Sequence, residues 1–368
     1  MHGRQSLHFF LFAAGGVLLA AALILLACAR AVPGFAQAYA LRIYPVFKST
    51  MGGLCSLLPV SVSEFGLYLL LLFCLYYIAS HIRQPLFLAS RGFFLGSLLF
   101  FVYMINCGVN YYRTPFSYEA GLTTAPASTE ELYSLCKLLV EKINEEAAAV
   151  PERPSLSPYP GQTEDTPSPS WAYLREMGQL GREAMKNLGE VYPQLAGWYP
   201  YPKPLAISRI LSVQQLCGIY SPFTVEANYN REMPLYNIPH TICHELSHLK
   251  GYMREDEANF IGYLACVLSS SPEFRYSGYV MGWVYAGNAL AAVDPDGYRT
   301  LRNQLPEAVL EDLAYNNRFW DRFEGKVAEV STQINDSYLK AHSQEEGVRT
   351  YGRMVDLMLA YYTPGSSA

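Results

Sequence analysis

The sequence predicts a mostly α chain in which N-terminal transmembrane helices precede a water-facing α+β domain with a small antiparallel sheet. Three observations lead there. Residues 1–113 hold seven Lys/Arg and a single acid, Glu64, whereas the remainder carries 20 Lys/Arg against 31 Asp/Glu. Within the first region, three runs contain no Asp, Glu, Lys or Arg: Gln5 to Ala29, Phe65 to Ile82 and Gly92 to Tyr112. The second region alternates helical patterns with two stretches rich in β-branched and aromatic residues. The expected organisation is therefore a membrane anchor over 1–113 and a second domain over 114–368. The charge asymmetry, with the basic excess in the apolar region and the acidic excess in the other, gives no basic surface suited to nucleic acid.

Each charge-free run is long enough to cross a bilayer, and the middles "GGVLLAAALILLA", "LYLLLLFCLYYIA" and "FLGSLLFFVYMI" are apolar on every side. Helices in water normally keep a polar stripe, so a buried soluble bundle is the poorer reading. The first run could be a cleaved leader ending at "LLAC", but Leu26 does not suit a lipoprotein processing site, and the run is kept as an anchor. Arg83 and Arg91 crowd the short second loop, which places that loop on the cytoplasmic side. After three crossings the acidic domain is then on the extracytoplasmic side.

Past the anchor, Ser128 and Glu131 have capping-box spacing and start a helix that continues through "LYSLCKLLVEKI". Residues 151–170, "PERPSLSPYPGQTEDTPSPS", read as a Pro/Ser-rich exposed loop. Helical pattern resumes at "WAYLREMGQLGREAMKNLGEVY", and "KPLAISRIL" and "GIYSPFTVEANYN" read as strands. Near the end, Phe323, Val327, Val330, Ile334 and Tyr338 share one helical face.

Between these lies "CHELSHLKGYMREDEANF", Cys243 to Phe260. On a helix His244 and His248 stand one turn apart on one face, about 6 Å along the axis, so both imidazoles can reach one metal ion. Glu245 is turned aside from that line, where it can take a proton from metal-bound water without ligating the metal. Pro239 suits the first turn and Gly251 the stop.

A catalytic zinc needs a third protein ligand and an open position. His240, Glu255, Asp256 and Glu257 are the candidates. His240 lies about 12 Å of helix rise from His248, which is too far. Glu255 is preferred because Asn259 follows it by one helical turn and can hydrogen-bond a ligating imidazole. Glu257 is the alternative.

H-E-x-x-H followed by E-x-x-A-N resembles the pattern of gluzincin zinc metallopeptidases at His244, Glu245, His248, Glu255, Ala258 and Asn259. With "NYYRTPF", "SPFTVEAN" and "EEGVRTYGRMVDL", nearly the whole chain is similar to an uncharacterised family of bacterial three-span membrane proteins with an H-E-x-x-H domain. The resemblance implies a zincin-like fold, Zn2+ held by His244, His248 and Glu255, and Glu245 as general base. It also implies an edge strand that pairs with a peptide substrate, for which Ala227 and Asn228 in "FTVEANYN" are the candidates, the other reading of that stretch being an internal strand of the small sheet. An oxyanion stabiliser is needed too, and His342, Tyr351 and Arg353 are available, Tyr351 being the candidate for substrate contact.

The expected function is that of a membrane-anchored zinc metallopeptidase acting on a peptide or protein substrate. The competing reading is a catalytically silent membrane scaffold or sensor, which the intact Glu245 disfavours. Proteolysis within the membrane is disfavoured by Lys250, Arg254, Glu255, Asp256 and Glu257 around the motif. The eight cysteines show no metal-ligand spacing, and Cys136, Cys217, Cys243 and Cys266 are read either as disulfide partners or as small buried hydrophobes.

Overall fold

The computed structural model describes residues 2–150, 169–341 and 353–362. The chain divides into two compact units, Met1–Thr114 with Ser221–Glu226, and Pro115–Tyr220 with Ala227–Ala368.

The first unit is built on α1 (His2–Ala31), α2 (Val62–His81) and α3 (Pro85–Asn106). Each is long and apolar enough to cross a membrane. Large apolar side chains stand exposed along α2, among them Leu69 at 67%, Leu72 at 64% and Leu75 at 66%. Such a surface has no polar face to offer water and suits hydrocarbon. The α2 N-terminus is held by polar contacts: Ser61 accepts from the Glu64 N–H at 3.1 Å, and the Glu226 carboxylate accepts from Val62 N–H at 3.1 Å and Ser63 N–H at 2.7 Å. An anion at the positive end of a helix dipole satisfies donors that have no partner within the helix. α1 and α3 pack together, with His8 Nδ1 2.9 Å from Ser90 Oγ.

The second unit begins its helical part with α4 (Thr129–Ala149), and the capping box is present: Ser128 N–H donates to Glu131 at 2.8 Å and Glu131 N–H donates to Ser128 Oγ at 3.2 Å. Next comes α5 (Trp171–Val191), capped by Ser170. Most of the Pro/Ser-rich stretch, residues 151–168, lies outside the described residues.

A three-stranded sheet follows, with β1 (Lys203–Pro204), β2 (Gly218–Ser221) and β3 (Glu226–Tyr229) in the order β1-β3-β2. β1 pairs parallel to β3, Lys203 opposite Asn228 and Pro204 opposite Tyr229, so the sheet is mixed and not antiparallel as expected. The expected strand over "KPLAISRIL" shrinks to two residues. Pro204 has no N–H to extend the ladder, and Ser208 turns the chain by donating to Leu205 O at 3.0 Å before a short helix at Arg209–Ser212. The expected single strand over "GIYSPFTVEANYN" is instead a hairpin, turned at Pro222 and at Val225, whose φ of 53° is left-handed.

The longer helices that follow are α6 (Asn237–Leu249), α7 (Glu255–Val267), α8 (Pro272–Val293), α9 (Glu307–Asp321), α10 (Lys326–Ala341) and α11 (Arg353–Tyr362), with a short helix at Pro295–Arg302 between α8 and α9. α6, α7 and α8 pack on one another, α5 lies on α6 and α7, and α4 lies along α8. Gly262 lets α7 close on α6: a Cβ there would stand 3.1 Å from His244 N and 3.3 Å from His240 O. The core of the unit sits here, with Ile242, Leu246, Phe260, Leu264 and Val280 fully buried. On the amphipathic stretch expected near the end, Phe323 is buried, but Val327, Val330 and Ile334 of α10 are exposed, because no described element packs on that face.

Candidate metal centre

The motif helix α6 carries Pro239 in its first turn, where a missing N–H costs nothing. It ends in a Schellman turn. Tyr252 N–H donates to Ser247 O at 3.1 Å and Gly251 N–H to His248 O at 2.8 Å, and Gly251 takes the φ of 96° that this turn requires. The turn does chemical work as well, since it aims the Tyr252 carbonyl back at the helix, 2.8 Å from His248 Nδ1.

After that reversal α7 opens with Glu255 at its first position. His244, His248 and Glu255 each present a ligand-type atom, all within 4.8 Å of one another. His244 Nε2 lies 3.1 Å from His248 Nε2 and 3.3 Å from Glu255 Oε2, and His248 Nε2 lies 3.6 Å from Glu255 Oε1. Burial would raise the Glu255 carboxyl, but hydrogen bonding to His244 and the charges of both imidazoles bring it below the usual range. His248 is pushed down to about 4, chiefly by burial. His244 moves up, because the Glu255 bond and charge outweigh burial.

The ring tautomers follow from the surroundings. A carbonyl only accepts, so His248 Nδ1 carries the hydrogen toward Tyr252 and its Nε2 presents a lone pair. Asn259 is hydrogen-bonded through its side chain to His244, and since Asn259 Nδ2 has no partner among the described residues, its oxygen makes that bond. Without a metal, His244 Nε2 shares a proton with Glu255; once that proton leaves, two imidazole lone pairs and a carboxylate converge, the donor set a divalent cation takes. The 3.1 Å between nitrogens is close to the edge of a tetrahedron with bonds of about 2.0–2.1 Å, the zinc–nitrogen length. The donor set fits zinc.

The other sequence candidates have separate places. His240 Nε2 is 3.1 Å from Asn259 O, and burial lowers its pKa to about 3, so it is a neutral inter-helix tie. Glu257 accepts from Phe116 N–H at 2.7 Å and does not join the cluster. Asp256 is raised by burial and feels the charges of Arg254 and Arg353, so Arg353 stands by Asp256. His342 and Tyr351 lie outside the described residues.

Glu245 is 4% exposed, and burial raises its carboxyl to about 8, with His244 opposing and Glu255 adding to the shift. Its Oε2 has no hydrogen-bond partner among the described residues. β2 runs alongside this carboxylate and the motif helix: a Cβ on Gly218 would fall within 2.8 Å of Glu245 Cγ and Cδ, and the Tyr220 ring is 6.4 Å from that of His248. Of the edge and internal readings of "FTVEANYN", the structure has the internal one. Ala227 and Asn228 sit fully buried on β3, the central strand, because β1 takes the side of β3 that would otherwise be open. β2 is the edge.

Four contributors escaped the sequence reading: the Tyr252 carbonyl, Gly218, Tyr220 and Tyr285. Burial pushes the Tyr285 phenol of α8 well up, with smaller contributions from Cys217 and Glu255. Only the Tyr252 carbonyl had a sequence signal, the glycine that closes the motif helix. All eight cysteines are free thiols, and Cys136, Cys243 and Cys266 are buried.

A family model described as a protein of unknown function, DUF3810, matches residues 39–359, and the chain belongs to that family. No curated protein and no solved structure matches the chain.

Proposed function

We propose, for this member of the DUF3810 family, the function of a membrane-anchored zinc metallopeptidase, with His244, His248 and Glu255 as metal ligands and Glu245 as general base. The observation that carries the proposal is the convergence of those three donors beside a buried carboxylate that keeps one oxygen unpartnered. Zinc, when bound, polarises a carbonyl and brings the pKa of a coordinated water to about 7.

The residues have distinct duties. Glu255 supplies the one anionic donor, and the Tyr252 carbonyl and Asn259 hold the two rings in the tautomers that leave Nε2 free. Glu245 accepts a proton from water at Oε2 and delivers it to the leaving amine, and a carboxyl raised by burial suits both transfers. The open side of β2 is where a peptide substrate adds as a further strand. Tyr285 is the hydroxyl we assign to the developing negative charge on the substrate. Three apolar helices tether the unit to a bilayer, and the Arg83/Arg91 loop orients the site to the extracytoplasmic side.

The test uses the full chain in detergent. Zinc is expected at close to one per chain and is expected to be lost in His244→Ala and His248→Ala. Glu245→Gln keeps zinc and lowers cleavage of a mixed peptide library at least about a hundredfold, whereas Glu255→Gln loses zinc first and activity with it. A parent that holds zinc and cleaves nothing would favour the scaffold reading. Zinc retained by both histidine variants would remove the ligand assignment.

A further inference from the structure

Gly218 is an unusual residue for its place. It starts the edge strand β2, where β-branched and aromatic residues are the ordinary choice and glycine weakens the strand. Glycine is usually excused by a left-handed backbone, but Gly218 is not among the residues with positive φ. Its conformation is one that any residue adopts, so the reason for glycine lies in what a side chain would meet.

The nearest neighbour is Glu245. The three heavy atoms closest to a Cβ built on Gly218 are Glu245 Oε1, Cδ and Cγ, the last two at 2.8 Å and Oε1 closer still. Contacts this short do not occur between real atoms. Because Cγ and Cδ are involved as well as the tip, bending the carboxylate alone does not relieve them. Nor is there solvent to swing into, since Glu245 is 4% exposed. Side chains alternate along a strand, so the face of β2 that carries Gly218 also carries Tyr220, whose ring lies 6.4 Å from that of His248, while Ile219 on the other face is 45% exposed. β2 therefore lies against the motif helix with bare backbone over Glu245 and a ring over His248. With Oε1 toward the strand, the other oxygen is the one without a partner among the described residues.

We propose that Gly218 is a positioning residue for Glu245: the bare backbone of β2 is the wall against which the carboxylate is set, so that Oε2 faces the reacting water. The proposal rests on the metallopeptidase reading and names what that reading requires of the edge strand. Any side chain at 218 moves the carboxylate by an ångström or so, a displacement that costs about a hundredfold in rate.

The experiment is a double-mutant cycle between Gly218→Ala and Glu245→Asp in the full chain in detergent, with zinc content, kcat and KM measured for all four proteins. Gly218→Ala alone is expected to keep zinc, to leave KM within about threefold and to lower kcat about a hundredfold. Asp is one methylene shorter and clears the added methyl, so in the Glu245→Asp background Gly218→Ala is expected to cost less than about threefold. An equal penalty in both backgrounds, or none in the parent, would overturn the proposal. If Gly218→Ala fails to fold and the double variant folds, the clash with Glu245 is upheld; if both fail, it is overturned. A parent that holds zinc and cleaves nothing ends the enzymatic reading and leaves the positioning question to calorimetry with acetohydroxamate, a zinc chelator whose hydroxyl donates to this carboxylate. Its affinity should then fall about tenfold on Gly218→Ala in the parent and stay level in the Glu245→Asp background, and an unchanged affinity in the parent would sink the idea.

Discussion

Helices α2 and α6 invert one another. In α2 leucines are exposed and Glu64 is buried, whereas in α6 His248 and Glu245 are buried along with nearly everything else. Exposed leucine is stable where the solvent is hydrocarbon, so α2 needs no partner element on its outer surface. Buried imidazole is stable only where each nitrogen is satisfied, so α6 depends on Tyr252, Asn259 and Glu255, all outside its own span. The difference teaches that one helix is specified by its surroundings at large and the other by a few atoms in named places.

The largest expected effect breaks the first half of that comparison. Leu72→Arg puts a charge at the middle of α2, where insertion costs about 3 kcal/mol, and the fraction of chain recovered in washed membranes should drop accordingly. Normal recovery would mean that α2 faces water. The second half is sharpened by Asn259→Ala. Loss of a hydrogen bond that orients a ligand should weaken zinc about 10- to 100-fold in competition with a chelator while the fold persists.

A smaller effect concerns the price of burying imidazole without a metal. In chelator-treated protein His240 stays neutral down to about pH 3, while the unfolded chain takes up its proton near 6.5. Between those values the unfolded state holds the extra proton, so stability falls as pH is lowered, by about 1.4 kcal/mol per pH unit for this one group. His248 adds to this slope and Glu245 opposes it, so the check is the difference: between pH 7 and 4.5 His240→Gln should flatten the pH dependence of the denaturant midpoint by one proton. The smallest effect lies away from both helices. Ser128→Ala removes the capping box of α4 and should cost about 1 kcal/mol in urea unfolding, with zinc affinity unchanged.

Some features depend only on local sequence. The three apolar runs, the capping box at Ser128 and the helix carrying His244 and His248 are legible because their physics is contained in neighbouring residues: a run long enough for a bilayer, a hydroxyl three residues from a glutamate, two rings one turn apart. Gly251 and the "REDEANF" segment were legible for the same reason, as a stop followed by a new helix. The sheet was misread where the decision is not local. Whether "FTVEANYN" lies at an edge depends on whether Lys203 and Pro204 come to pair with Asn228 and Tyr229, and residues 205–217 of intervening chain carry no mark of that choice.

The sequence by itself therefore determined the spans, the helices and the identity of the converging donors, because hydrophobic length and helical period act over a few residues. Only the tertiary structure decided that β2 is the strand beside Glu245, that Gly218 is its point of closest approach and that the Tyr252 carbonyl holds His248. Those are contacts between segments whose separation is set by packing, and a backbone carbonyl or an absent side chain leaves no chemical label in the residue that supplies it.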